Sequence, residues 1–303
     1  MVKNYSINKK EFIMFKILGF IVSVLLCAFP ASAKIKIEKH QLPTINYVSI
    51  PVQTPEISWV VSAKLSIPRT DNTAKMPAVV IMHSSGGIDS TGDFYAKSLN
   101  KNGIVTIELD LWGARNLAGG TDRPASPQET LPDAIAALHY LASRPDIEPT
   151  KIGIIGFSWG GVLSMLTATE QYMSMTGSSL RYAAHVAHYP VCWVYNNVPG
   201  FEFEKLTGAP VLIQTGQYDD YDLPDTCSNM VNNLADTDKE LTDLNIYNRA
   251  YHAWDRLEPT LIIEDPFAHL GQGGIVTLKP NKRLAAKSRR KAVRFFNKAF
   301  NTD

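Results

Sequence analysis

The stretch KIGIIGFSWGG, residues 151–161, constrains the fold of this chain more than any other. The branched apolar residues at its start predict a buried strand, and the apolar residues from Val162 onward predict a helix. Ser158 lies at the junction, with Gly156 and Gly160 two positions to either side. A side chain at either glycine would collide across so sharp a turn. The stretch therefore predicts a strand–turn–helix unit that exposes a serine hydroxyl, with a turn that serves packing alone as the alternative.

The rest of the chain alternates apolar strands with helices. Predicted strands cover residues 58–67, 77–83, 104–109, 151–157, 182–189, 210–215 and 244–251, and predicted helices cover 93–101, 130–141, 162–167, 225–237 and 282–299. Strands that are apolar on both faces indicate a mostly parallel central sheet with helices on both faces, an α/β fold. Residues 256–281 are predicted to form an irregular loop. Little sequence lies between the last few strands for a large lid, so we expect an open, shallow site.

The N-terminal segment has the pattern of a secretory signal peptide. A short apolar run at 17–29 is preceded by Lys9, Lys10 and Lys16 and followed by Ala31-Ser32-Ala33. This pattern predicts cleavage after Ala33, so that residues 1–33 are a signal peptide and 34–303 the functional domain. The domain is then secreted or periplasmic and has no membrane contact after cleavage. A segment that stays attached as an N-terminal anchor is the alternative.

Export would also change the chemistry of the two remaining cysteines. Cys192 and Cys227 can pair in an oxidising compartment, and two buried free thiols are the alternative. The formal charge of +1 and the absence of zinc-finger spacing argue against a nucleic-acid partner.

A serine nucleophile requires a base, and the base requires an acid that orients it. Asp219 and His252 each follow a predicted strand, in the chain order serine, aspartate, histidine. Parallel strands place such residues at one edge of the sheet. Asp219 is preferred because it is nearest to its strand. The competitors are Asp220 and Asp222 for the acid, and His269 for the base. His185 and His188, three apart on one strand, face opposite sides, which disfavours a metal pair.

Stabilisation of an oxyanion requires two further donors. One candidate is the backbone N–H of Trp159, directly after the serine. The other is the N–H of Ser85, in the loop after His83, where Gly86 and Gly87 permit close approach. The alternative is that Ser84 and Ser85 only form a hydrogen-bonded turn.

These motifs together resemble the dienelactone hydrolase-like branch of the α/β-hydrolase superfamily. The stretches that carry the resemblance span about residues 77–255 and are PAVVIMHSSGG, ELDLWGAR, KIGIIGFSWGG, YPVCW, GQYDDYDLPDTC and YHAWD. The resemblance implies an α/β-hydrolase fold, a hydrolase of the serine or cysteine type, a small-molecule ester or lactone substrate, and no cofactor. It also makes a disulfide between Cys192 and Cys227 somewhat more expected.

The chain departs from that family at two positions and matches it loosely at a third. Ser158 stands where dienelactone hydrolases carry cysteine, which favours a general esterase, and Ser84 stands where they carry a glutamate. Arg115 roughly matches an arginine that binds a substrate carboxylate in the family, although a structural salt bridge is an equal alternative. Trp112 is a candidate wall of the substrate pocket, or a core aromatic.

The sequence therefore predicts an exported serine hydrolase. Ser158 would form an acyl-enzyme, His252 would transfer the proton, and Asp219 would orient His252. A peptidase or amidase on the same scaffold, and a non-catalytic binding protein with a hydrolase fold, are the competing hypotheses.

Overall fold

The computed structural model describes residues 42–70 and 74–301, and the predicted signal peptide at 1–33 lies outside them. The strands are β1 (Thr44–Gln53), β2 (Ser58–Ile67), β3 (Met76–Met82), β4 (Val105–Leu109), β5 (Ile147–Phe157), β6 (Ala184–His188), β7 (Val211–Tyr218), β8 (Thr242–Tyr251), β9 (Leu261–Asp265) and β10 (Gly274–Leu278). The helices are α1 (Ser90–Lys101), α2 (Leu131–Ala142), α3 (Trp159–Leu166), α4 (Glu170–Met175), α5 (Thr226–Asn232), α6 (Asp236–Glu240), the short turn α7 (Ala268–Gly271) and α8 (Lys282–Phe300). No helix in this part of the chain has both the length and the hydropathy needed to cross a bilayer.

Eight strands form one mostly parallel sheet in the order β1-β2-β4-β3-β5-β6-β7-β8. β1 pairs antiparallel with β2, and β2 pairs antiparallel with β4. Every pairing from β4 through β8 is parallel. The parallel strands therefore end at a common edge, which is where the candidate residues of the sequence analysis were expected to meet.

Helices cover both faces of the sheet, as the apolar strands predicted. Along β3, Val80 packs into the core under α2 and α3, whereas Val79 and Ile81 pack into the core under α1 and α8. All three side chains are fully buried. Burial of an aliphatic side chain contributes about 1.5–3 kcal/mol, so both cores together fix the layered arrangement.

Three parts of the sequence-based description are wrong. Residues 256–281 are not an irregular loop, because β9 and β10 pair antiparallel as a two-stranded hairpin. β1 was not predicted as a strand. The predicted helix at 225–237 is two short helices, α5 and α6. The β9–β10 hairpin, residues 261–278, is held against the main sheet where Leu278 forms a bridge with His252 and where the N–H of Lys279 donates to the carbonyl of His252.

The turn between β5 and α3 has the strained geometry that the two glycines predicted. Ser158 has φ of 50° and ψ of −108°. A Cβ at Gly156 would lie 1.8 Å from the carbonyl oxygen of Gly160. A Cβ at Gly160 would lie 2.1 Å from the carbonyl oxygen of Met82. Both obstacles are backbone atoms, so neither can move aside without displacing an element.

We expect Gly156→Ala to lower the free energy of unfolding by at least ~3 kcal/mol, because the new methyl group must displace backbone at the turn. Gly177→Ala is the control for a change without steric overlap: unlike Gly156, Gly177 has a positive φ, of +67°, but its Cβ would meet no atom within 4 Å. The control should lose only about 1 kcal/mol. Urea unfolding of both variants measures the difference, and equal losses would contradict the packing account.

Candidate active site

A continuous hydrogen-bonded chain joins three side chains at the edge of the sheet. Nε2 of His252 lies 3.0 Å from Oγ of Ser158, and Nδ1 of His252 lies 2.8 and 2.9 Å from the carboxylate oxygens of Asp219. Ser158 follows β5, Asp219 follows β7 and His252 follows β8. All three residues are buried. The structure thus brings together the serine, histidine and aspartate that the sequence singled out.

The surroundings of His252 favour one tautomer and one ring orientation. A carboxylate can only accept, so the proton on the imidazole lies at Nδ1, and Nε2 is left to accept from the Ser158 hydroxyl. Asp219 is itself held by the N–H of Tyr221, 3.1 Å away. The rings of Tyr189 and Tyr221 each pack with their centroids 4.6 Å from that of His252. This arrangement can remove a proton from the serine hydroxyl without reorienting the base.

The competing residues of the sequence analysis make other contacts. Asp220 accepts from the N–H of Thr277, and Asp222 accepts from the N–H groups of Cys192 and Trp193. Burial, together with the nearby charge of Asp219, raises the pKa of Asp222 to about 7. Nε2 of His269 lies 3.1 Å from the carbonyl oxygen of Ile275, on the far strand of the hairpin.

The residues that carry the two predicted oxyanion donors, Trp159 and Ser85, line the same pocket as Ser158. Of the hydrogen bonds described for residues 42–70 and 74–301, none uses the N–H of Trp159 or of Ser85. The carbonyl of Ser85 accepts from the indole N–H of Trp112 at 3.0 Å and from the N–H of Gly120 at 2.7 Å, which fixes its loop. The alternative turn also forms, since the N–H of Gly87 donates to the carbonyl of Ser84.

His83 ties this loop to the serine turn. Its carbonyl accepts from the N–H of Gly160 at 3.1 Å. Its ring accepts at Nε2 from the N–H of Leu111 and donates from Nδ1 to the carbonyl of Ser84. Burial lowers the pKa of His83 below its ordinary value, which keeps the ring neutral and able to accept. The loop that carries Ser85 and the turn that carries Ser158 are therefore held in one fixed relation.

A cavity of about 210 Å³ opens beside Ser158. Most of its wall is aromatic or aliphatic, and its charged lining residues in the described chain are Arg123 and Asp265. The complete lining is Ser85, Arg123, Ala125, Ser126, Pro127, Ser158, Trp159, Val191, Trp193, Val194, Val198, Phe201, Tyr221, Asp265 and Phe267. The size and composition are those of a site for a small, largely apolar group.

Arg115 and Trp112 are not brought to this cavity, which corrects their assignment as substrate contacts. Arg115 donates to Asp133 at 2.6 Å, and its guanidinium stacks over the ring of Trp59. The carboxylate of Asp133 is fully buried, so Arg115 is needed to neutralise it. Trp112 packs against His83 and Trp159, one layer behind the wall, where it supports the loop of Ser85.

Cys192 and Cys227 are joined by a disulfide, with 5.1 Å between their Cα atoms. The bond connects the cavity wall around Trp193 to α5. A disulfide that closes a 35-residue separation lowers the conformational entropy of the unfolded chain, which stabilises the folded protein by about 4 kcal/mol. Asp222 completes the one cluster of potential metal ligands found among the described residues. Metals bind thiolates, and the disulfide leaves only the carboxylate of that cluster to act as a ligand.

Sequence reasoning missed Arg123, Asp265 and Phe267. The β-branched and apolar runs at 261–263 and 275–278, separated by glycines, were an available signal for a hairpin. Nothing local indicated that the hairpin would contact the loop after β4.

Comparisons with known proteins agree with this geometry. The protein-family model with the description "Dienelactone hydrolase family" matches residues 62–300 of this chain. The dienelactone hydrolase from Anabaena variabilis is 20% identical, with a TM-score of 0.55 over 84% of this chain and 97% of that one. The hyperthermophilic esterase from Pyrobaculum calidifontis is 16% identical, with a TM-score of 0.59 over 86% and 87% of the two chains. Both likenesses show the α/β-hydrolase fold, which confirms the predicted fold class.

Among curated sequences, an uncharacterised protein from Pseudomonas aeruginosa is 26% identical over 156 residues, which is 51% of this chain and 39% of that protein. For two further relatives, from Bacillus subtilis and Escherichia coli, the matched part is 38% and 31% of their lengths. This chain thus spans less than half of each of these relatives.

Proposed function

Because the chain belongs to the dienelactone hydrolase family, we propose that it is a serine hydrolase that cleaves carboxylic ester or lactone bonds. The observation that carries the proposal is the unbroken hydrogen-bonded chain from Ser158 through His252 to Asp219. A buried hydroxyl bound to a correctly oriented imidazole is the arrangement that acyl transfer requires. The family supplies the hydrolase chemistry, and the position of the cavity beside Ser158 supplies room for the substrate.

In the proposed mechanism, Oγ of Ser158 attacks the ester carbonyl carbon while Nε2 of His252 takes the hydroxyl proton. The carbonyl oxygen becomes an oxyanion, to which the N–H groups of Trp159 and Ser85 donate. His252 then gives its proton to the departing alkoxide, which leaves an acyl group on Ser158. A water molecule then removes the acyl group by the same steps. His252 takes a proton from the water, the resulting hydroxide attacks the acyl carbon, and Oγ of Ser158 leaves and takes that proton from His252.

Asp219 acts through His252 in this mechanism. Its carboxylate holds Nδ1–H and stabilises the imidazolium that exists while His252 carries the extra proton. The N–H of Tyr221 keeps that carboxylate in place. Asp219 is thus a positioning residue, and its effect falls on the rate of the chemical step.

We also propose that the protein is exported. The basic, apolar and small-residue pattern before Ala33 supports this, as does the disulfide, which is typical of oxidising compartments. The protein recovered outside the cytoplasm should begin at Lys34 by N-terminal sequencing. Recovery with an intact N-terminus would support the retained anchor instead.

We expect Ser158→Ala to abolish hydrolysis of p-nitrophenyl acetate, because no nucleophile remains, while leaving the unfolding midpoint close to that of the unchanged protein. The unchanged protein should react with a fluorophosphonate probe at Ser158, and the variant should not. The unchanged protein should also hydrolyse p-nitrophenyl acetate far faster than the matched p-nitroanilide. Turnover by the variant would exclude the proposed nucleophile, and an unreactive Ser158 would support a non-catalytic protein.

We expect Asp219→Asn to lower kcat by about 10⁴-fold, because an amide can donate to Nδ1 and so favours the wrong imidazole tautomer. Asp220→Asn is the matched control, since Asp220 is adjacent and binds the N–H of Thr277. The control should keep kcat within a few-fold. Steady-state kinetics of both variants with one ester decide the assignment, and a larger loss for the control would make Asp220 the acid.

A further inference from the structure

The charged residues that line the cavity form a pair with each other. Nη2 of Arg123 lies 2.8 Å from Oδ2 of Asp265, and the two side chains are only 9% and 2% exposed. The guanidinium also stacks over the rings of Trp159 and Phe267, at 5.7 and 5.6 Å from their centroids. The other carboxylate oxygen of Asp265 accepts from the N–H of Phe267. Arg123 is therefore enclosed by partners on several sides.

This pairing cancels the charge of the arginine that faces the cavity. A substrate carboxylate that enters the cavity would either have to displace Asp265 from Arg123 or have to lie beside the negative charge of Asp265. Displacement would leave Asp265 buried without a cation, and buried charges are costly when unpaired. If the substrate carboxylate instead lies beside Asp265, the two negative charges share a poorly solvated space, where they repel strongly. Arg115, the other candidate for binding an anion, is held by Asp133 outside this cavity.

The remaining wall offers contacts to uncharged groups. The cavity lining includes Val191, Val194, Val198 and Phe201, together with Trp159, which directly follows the serine in the chain. Aliphatic and aromatic side chains stabilise an apolar group by burying it and gain nothing from a solvated carboxylate.

We propose that the substrates are uncharged esters or lactones with an apolar group in this cavity, and that the Arg123–Asp265 pair excludes substrates that carry a carboxylate there. The inference rests on the proposed hydrolase function and narrows its substrate class. Asp265 is the specificity-determining residue, because it occupies the guanidinium that would otherwise bind an anion.

The experiment compares two esters whose acyl groups both contain five carbons. We expect kcat/KM for p-nitrophenyl valerate to exceed that for mono-p-nitrophenyl glutarate by about 100-fold, because the glutarate carboxylate would lie beside the buried Asp265. Asp265→Asn frees Arg123 and should shift this ratio at least about tenfold toward the glutarate. The amide oxygen of asparagine can still accept from Phe267, so the hairpin keeps its contact. Because Tyr221 contacts both Asp265 and His252, kcat for both esters can change together, and the ratio of their kcat/KM values removes that common effect.

Glu264→Gln is the matched control. Glu264 is exposed, adjacent to Asp265, and absent from the cavity lining, so its variant removes the same charge without freeing Arg123. For this variant, the ratio of kcat/KM between the valerate and the glutarate should equal that of the unchanged protein. Arg123→Gln supplies an independent measurement if the Asp265 variant does not fold: it removes the cation and leaves Asp265, so the preference for valerate should persist or increase.

Two outcomes would overturn the inference in distinguishable ways. If the unchanged protein prefers the glutarate and Arg123→Gln selectively loses it, then Arg123 binds substrate anions and only this inference is wrong. If neither ester is hydrolysed and Ser158 is not labelled by a fluorophosphonate, the proposed hydrolase function is wrong as well.

Discussion

The close packing of backbone where β5 meets α3 determines the rest of the site. Gly156 and Gly160 approach each other and the end of β3 so tightly that no side chain fits at either position. Ser158 is consequently held at a positive φ, with its hydroxyl against His252. The same packing lets the N–H of Gly160 bind the carbonyl of His83, which aligns the loop of Ser85. One steric constraint thus fixes both the hydroxyl and the amides proposed to act with it.

The sheet and the connections between its strands contribute different parts of the site. The strand ends supply Ser158, Asp219 and His252, and the two apolar cores fix the relative positions of those strands. The connections supply the cavity wall: the loop after β4 carries Arg123, and the hairpin carries Asp265. The proposed reactivity therefore depends on the sheet, whereas the shape and charge of the cavity depend on segments that pack against it. The disulfide stabilises one of these segments by tying the wall near Trp193 to α5.

The features that sequence reasoning found are those that local patterns encode. An apolar strand followed by a glycine-flanked serine specifies its own turn, and the end of a parallel strand marks the sheet edge, so Ser158, Asp219 and His252 were accessible in advance. Side-chain pairing across the fold was not. Arg123 and Asp265 are 142 positions apart, and only the docking of the hairpin makes them neighbours. Arg115 illustrates the same limit, because its partner Asp133 could be identified only once α2 was positioned.

The two residues of the buried ion pair come from two separate connections, and this affects how relatives with this fold can diverge in substrate preference. Neither the loop after β4 nor the hairpin contributes a strand to the eight-stranded sheet. Substitution at residue 123 or 265 would change the charge of the binding pocket while replacing none of Ser158, Asp219 and His252. Lineages that share this scaffold can then acquire new substrate preferences through exchanges at these two positions while they keep the same serine, histidine and aspartate.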